Sequence, residues 1–494
     1  MKKENLYKLF LFVIIFFFIL SILLLKPLNN LDELWNYNFA RNISDNLIPY
    51  KDFNMLQMPL LPMICGIILK ITFNELIVMR ILAALLLTSI IYISYKLFNI
   101  LNVKKEITIL LLFIIVILLK EVLCIDYNYA TLLIVLWIIY IEIKTYNKDN
   151  VLLKNNVTSD LFLGILAGLT ITLKQTTGLF ICAALLGNKL IFVKKKDEII
   201  TYIKSFVFRL IGAVIPVFIM AIYLIVNNAV YDFISYTIKG ISGFSNYIPY
   251  INLVKWDAIG ILSILVPLIF VYKWIKTIIF EKDKVSYIFL VYGLAMFVVC
   301  FPISDKIHFL IGALPTILLI LYEGYNLLSK ICKKTFKSKK MNIFIINFIV
   351  SVTILFSIYY IVINLYNYLS KIDSVSNLNH YSNILISEEL EKQIEKVNEY
   401  IVLNENVKIL DATAALYMIP LNRYNKDYDM LLKGNLGFDG ENRIIKEISN
   451  FKNTKYLILN DKYNKNWQTP FDIINYVKEN KKKSGEISIF DIYE

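Results

Sequence analysis

The sequence predicts a polytopic, all-α membrane protein with a small α/β domain at its C-terminal end. Three observations carry this prediction. Of 494 residues, 57% are hydrophobic and 18% charged, and the mean hydropathy is +0.60. Apolar runs of about membrane-spanning length recur from residue 9 to residue 367. Beyond residue 370 apolar residues become intermittent and charges frequent, so the expected division is 1–369 and 370–494.

The first run, 8–27, has a basic start (Lys2, Lys3, Lys8), as a signal peptide does. It is long and no small-residue cleavage site follows, so it reads as an uncleaved anchor. The stretch LNNLDELWNYNFARNISDNLIPYKDF (28–53) then forms an outer loop. The run 59–72, PLLPMICGIILKIT, is too short for a span; Pro59 and Pro62 open it and Lys70 lies near its end. It reads as a helix in, or dipping into, the outer interface. Further spans follow at 76–98, 107–121, 128–144, 159–173, 178–193, 205–226, 256–275, 286–303, 307–329 and 343–367, about eleven transmembrane helices in all.

Basic residues set the orientation. With the N-terminus cytoplasmic, the inner loops hold Lys104 and Lys105, then Lys144, Lys148 and Lys154, then Lys194, Lys195, Lys196 and Lys204, then Lys282 and Lys284, and finally KICKKTFKSKK at 330–340. The short outer loops between later spans hold few: Lys174, Lys239, Lys255 and Lys306. This asymmetry is the positive-inside pattern, and it makes the C-terminal domain extracytoplasmic at the cell (plasma) membrane. The net charge of +13 lies largely in these loops, so it orients the chain and implies no nucleic acid. The five cysteines (Cys65, Cys124, Cys182, Cys300, Cys332) have no metal-ligand spacing. In the C-terminal part, SEELEKQIEKVNEYI reads as an amphipathic helix, VKILDA and TKYLILND as buried strands, and PFDIINYVKEN as another helix.

Ionisable groups gather on the outer side. Asp32 and Glu33 emerge just after the first span, and Asp126 lies in the outer turn KEVLCIDYNYA. Lys174 in TLKQTTG, and Lys306 and His308 in FPISDKIHFLIGALP, share that face. Singly, such residues are solvated or snorkelling groups, as Asp52 and Glu121 are taken to be; together at helix ends they mark a functional site. The outer loop 227–255 is aromatic and reads either as an interface anchor or as a flap hinged at Gly240 and Gly243. NRYNKDYDMLLKGNLGFDGENR (422–443) either binds a glycan acceptor or is a plain loop.

The segment LDELWNYNFARNISDNLIPYKDFNMLQMPLLPMICGIIL resembles the first outer loop of the GT-C glycosyltransferases. The match is to the protein mannosyltransferase-like group, with the aminoarabinose transferases and Rgt-type sugar transferases. Asp32-Glu33, Ala40-Arg41, Tyr50-Lys51-Asp52-Phe53 and Pro59 carry it. Arg80, Asp126, Lys174 and the DKIHFLIGALP stretch extend it over about residues 1–330. Met58 stands where the aminoarabinose branch has a lysine, which moves the phosphate contact to Lys306 or Lys174.

The resemblance implies transfer of a sugar from a polyprenyl-phosphate donor to a glycan, lipid or protein acceptor, with inversion. Asp32 is then the base that takes the acceptor proton. Asp126 positions the acceptor or helps bind a cation. Glu33 supports Asp32 or holds a divalent cation, the only cofactor left open. Lys306 and Lys174 hold the donor phosphate, assisted by His308, and Arg41 joins the substrate-binding set. A polyprenyl-linked glycan flippase would need charges along a mid-membrane path, and here they crowd the span ends, Arg209 excepted. A non-catalytic scaffold would give Asp32 and Asp126 no reason to converge.

Overall fold

The computed structural model describes residues 3–28, 31–119, 124–149, 156–193, 195–240, 248–281, 283–335, 339–371, 374–451, 453–463 and 469–494. Lys2, Glu121, Lys154, Lys194, Gly243, Lys282 and residues 336–338, named above, lie outside these. The helices in chain order begin with α1 (Lys3–Leu24), α2 (Leu31–Ser44), α3 (Leu60–Ile71), α4 (Leu76–Ile100), α5 (Lys105–Leu119) and α6 (Tyr127–Asp149). Next come α7 (Val157–Leu173), α8 (Gln175–Gly187), α9 (Lys196–Val226), the short α10 (Val230–Phe233), α11 (Ala258–Ile275), α12 (Lys284–Phe297), α13 (Lys306–Thr335) and α14 (Lys339–Leu369).

Each expected span coincides with one helix. Eight of these helices are long and apolar enough to cross a membrane, α8 together with the turn that carries it on to Phe192. The other three are α5, α7 and α12, with 15, 17 and 14 residues. Large apolar side chains such as Phe218 on α9, Leu268 on α11 and Phe356 on α14 stay exposed, as lipid-facing residues must. The chain is a multi-pass helical membrane protein. Helix α3 stands where an interfacial helix was expected; it buries Leu61, Cys65 and Leu69 and exposes Ile64, Ile67 and Ile71.

One expectation is corrected. Residues 31–44, read as part of an outer loop with no element of its own, form the helix α2. Asp32 and Glu33 in its first turn and Arg41 in its last suit the helix dipole. Its polar residues Asn36, Asn38, Asn42 and Ser44 are buried, in part by the chain around α3, where Gln57 donates to Asn36 Oδ1 at 3.3 Å and Ser44 donates to Asn74 Oδ1 at 3.0 Å. A polar, buried helix carries no amphipathic stripe, which is why periodicity missed it.

Two features fix the bundle. On α7 and α9 the backbones nearly touch: a Cβ on Gly164 would lie 2.1 Å from the Arg209 carbonyl oxygen, and one on Gly168 2.2 Å from that of Ala213. Beside this contact Arg209 donates to Asp160 (2.8 Å), Glu142 (2.8 Å) and Asn188 (3.1 Å), and Lys189 reaches Asp160 and Ser205. Buried charges from several helices are thereby matched in pairs. Gly168→Val is expected to force α7 from α9 and to lower the melting temperature in detergent clearly, since overpacking costs about 1–3 kcal/mol or more. An unchanged melting curve would show that the helices are not held this close.

The C-terminal part holds α15 (Glu388–Leu403), β1 (Val407–Ile409), α16 (Ala415–Met418), α17 (Gly440–Asn450), β2 (Lys455–Leu459), α18 (Phe471–Asn480), β3 (Lys483–Ile487) and β4 (Phe490–Tyr493). The strand order is β1-β2-β4-β3, with β1 parallel to β2 and the other pairs antiparallel. The segments SEELEKQIEKVNEYI, VKILDA, TKYLILND and PFDIINYVKEN supply α15, β1, β2 and α18. Helix α17 and the β3–β4 hairpin were not foreseen. Alternation in β2 divides the interior. Tyr456 and Ile458 pack with α17 and α18 residues such as Ile444 and Ile473. Leu457 and Leu459 join Ile394 and Val397 of α15 in an apolar cluster that continues through Tyr37 into the bundle.

Candidate active site

Adjacent residues on a helix point about 100° apart, so Asp32 and Glu33 cannot face the same way. Glu33 is buried and takes a bidentate pair with Arg80 of α4, Oε1 to Nε at 2.8 Å and Oε2 to Nη2 at 2.9 Å. Arg80 Nη1 also donates to the carbonyls of Leu23 (3.0 Å) and Lys26 (2.7 Å). The structure therefore places Glu33 as the bolt between α1, α2 and α4, not beside Asp32.

Asp32 instead lies in a recess of the protein while its side chain still meets solvent. Burial pushes its carboxyl up, to about 6, and the charge of Asp126 adds to this; His308 pulls it down and Asp305 pushes it up. Burial also raises Asp126, against the pull of His308, Asn128 and Lys174. These mutual effects gather Asp32, Asp126, His308, Lys174 and Asp305 at one end of the bundle. It is the end that carries the C-terminal domain.

Local structure holds each group. Asp126 precedes α6 and accepts the Asn128 backbone N–H at 2.7 Å. Lys174 sits at the break between α7 and α8, donates to Asn128 Oδ1 at 2.7 Å and lies 5.5 Å from the centre of the Tyr127 ring. Burial lowers the Lys174 ammonium to about 8, and the Asp126 charge partly restores it. Asp305 caps α13, accepting the His308 backbone N–H at 2.8 Å. His308 Nδ1 also lies 2.8 Å from Asp305 Oδ1. Burial raises the Asp305 carboxyl, but the pull of His308 outweighs it and the group stays below its usual value.

Two expected members lie apart. Lys306 is exposed and pairs with Asp257, at the start of α11, at 3.1 Å. Arg41 is nine positions beyond Asp32, about two and a half helical turns, and so on the opposite face. It is fully buried, its guanidinium 4.6 Å from the centre of the Tyr424 ring and its Nε 3.8 Å from Asp45.

Around Arg41 the C-terminal domain closes on the loops. Tyr424 bonds Asp45, Asn54 donates to the Asn435 carbonyl (2.8 Å), and Lys426 donates to the Lys51 carbonyl (2.6 Å). Tyr236, beyond α10, donates to Asp427 (2.6 Å), which also receives Arg443 (2.8 Å). Much of 422–443, read as acceptor-binding or plain loop, is thus an internal clamp. Thr237 lies next to this contact and accepts from Gln175, the neighbour of Lys174, at 3.5 Å.

Sequence reasoning passed over Asp305 and Asn128. The signal for Asp305 was its cap position, three residues before His308; Asn128 carried none, since its value depends on Lys174 folding back to it. Among the described residues no group of three or more His, Cys, Asp or Glu side chains comes together to hold a metal ion. The divalent cation left open for Glu33 therefore finds no ligand set there.

The fold and recess define a helical membrane protein with a mixed acidic and basic site at one end of its spans. No known family profile matches the chain, and no curated protein matches it in sequence. Among solved structures it is similar to the archaeal oligosaccharyltransferase AglB from Archaeoglobus fulgidus, in complex with an inhibitory peptide and a dolichol-phosphate. The identity is 13% and the TM-score 0.48, over 93% of this chain and 70% of that one. The Archaeoglobus fulgidus oligosaccharyltransferase in complex with Zn and sulfate gives 14% and 0.45, over 80% and 55%. The apo form gives 13% and 0.43, over 81% and 60%. In these last two comparisons the chain spans less than two thirds of the other's length.

Proposed function

We propose that the protein is a GT-C glycosyltransferase that moves a sugar from a polyprenyl-phosphate donor to an extracytoplasmic acceptor. The observation that carries this reading is the meeting of Asp32, Asp126, Lys174 and His308 at the domain-bearing end of the bundle. A lipid-held phosphate stays at headgroup depth, and helix α2, directly after α1, brings a carboxylate there. Asp32 takes the proton of the acceptor hydroxyl as that oxygen attacks the anomeric carbon. The bond from that carbon to the phosphate oxygen breaks, and the lipid phosphate leaves with the electron pair. Lys174 and His308 meet the charge that develops on it, and Asp126 orients the acceptor. Incubating purified protein with a panel of polyprenyl-phosphate sugars and scoring donor loss tests the reading. No consumption of any donor, in the presence of hydroxyl acceptors, would refute it.

The two titrating groups set a pH window. Asp32 must be ionised, so kcat/KM rises as pH passes about 6; Lys174 must be charged, so it falls beyond about 8. Lys174→Arg keeps the charge to much higher pH and removes the alkaline fall. A profile that is flat across both limbs, or an alkaline limb unmoved in Lys174→Arg, would contradict these roles.

A further inference from the structure

Helix α13 begins with two basic side chains that part company. Residues two apart on a helix point about 200° from each other. Lys306 accordingly turns out to Asp257, and His308 turns toward the acidic recess. Its ring is not free to swing. Nδ1 is buried against Asp305 at 2.8 Å, yet the side chain keeps 21% of its surface exposed. The edge left open is therefore the other one, which carries Nε2. The ring lies near both carboxylates of the recess: its charge is the largest one favouring ionisation of Asp32 and Asp126. Asp305 thus does two things with one carboxylate, capping the helix and backing the ring.

We propose that Asp305 is a positioning residue, holding His308 so that Nε2 meets a phosphate oxygen of the lipid-linked donor. The inference rests on the donor site proposed above. It gives α13 a contact with the donor that Lys306, one helical face away, does not supply. A carboxylate at Nδ1 holds the ring's orientation, and when the ring is protonated it leaves the Nε2 N–H free to donate to an anion. Those are the conditions for a charge-assisted contact to an anion.

The role can be separated from capping. Serine is a good cap but too short to back the ring; asparagine caps and still offers an acceptor oxygen. The probe is farnesyl phosphate, titrated against the purified full chain in detergent. Wild type is expected to bind it. Asp305→Ser and His308→Gln are each expected to weaken binding about 10-fold, with Asp305→Asn in between. The double variant Asp305→Ser/His308→Gln should bind no more weakly than His308→Gln alone. A second readout needs no ligand, since the chain has only two histidines. In 15N-histidine spectra Asp305→Ser should move the His308 ring signals and leave those of His380 in place. Binding by Asp305→Ser equal to wild type with His308→Gln impaired, additive losses in the double variant, or unmoved His308 signals would each overturn the proposal. Failure of wild type to bind the probe would instead sink the donor site itself, whatever the ring signals show.

Discussion

Asp32→Asn is expected to fold, enter the membrane and bind donor, yet turn over about 10²–10⁴-fold more slowly than wild type. The carboxamide has the size of the carboxylate but accepts no proton. Folding has nothing to lose, because burial and the Asp126 charge both work against the ionised Asp32. Above pH of about 6 the variant should melt at the same temperature or slightly higher. Near-wild-type turnover would remove Asp32 from the reaction. A large fall in melting temperature would make it a structural residue.

Glu33→Gln is expected to fail in the opposite way. It leaves the Arg80 guanidinium buried without its counter-charge, and breaking such a pair costs about 3–5 kcal/mol. The melting temperature in detergent should drop sharply, and activity should be lost with the fold. Arg80→Gln should cost a similar amount, and the double variant much less than the sum, because the two side chains act as one unit. If Glu33→Gln melts like wild type and only turnover falls, Glu33 belongs with the chemistry and not with the frame.

The contrast between these neighbours shows what the sequence could carry. Hydropathy located the helices at all eleven expected positions, eight of them long and apolar enough to cross a membrane, because lipid demands long apolar helices. The short apolar helix α3 was legible for the same reason, and β1, β2, α15 and α18 followed their own periodicities. The adjacent pair Asp32-Glu33 was legible as important, but not as two residues with separate tasks. That division is set by helix α2, whose polar sequence hides it, and by Arg80, 47 residues away. Lys306 and His308 read alike for the same reason; only the helical phase of α13 separates them. Arg41 was noticed for its company in the motif, but its partner Tyr424 lies in a segment read as loop or acceptor site.

The clamp between Tyr424 and Asp45 joins residues 379 apart, and that between Asn435 and Asn54 joins residues 381 apart. Synthesis runs from the N-terminus, so α2 emerges long before the segment that covers it exists. Until then Arg41 lacks the Tyr424 ring, and the helix is held by the Glu33–Arg80 pair and by its packing on α3, beside which Tyr37 donates to the Asn74 carbonyl at 2.7 Å. The part of the chain made first is thus finished last. A ribosome that stalls before residue 424 releases a set of membrane spans whose α2 lacks the contacts that the C-terminal domain makes with Arg41 and Asp45. Such a fragment should be an easy target for quality-control proteases and a poor catalyst, so the assembly of the recess itself reports that the chain is complete.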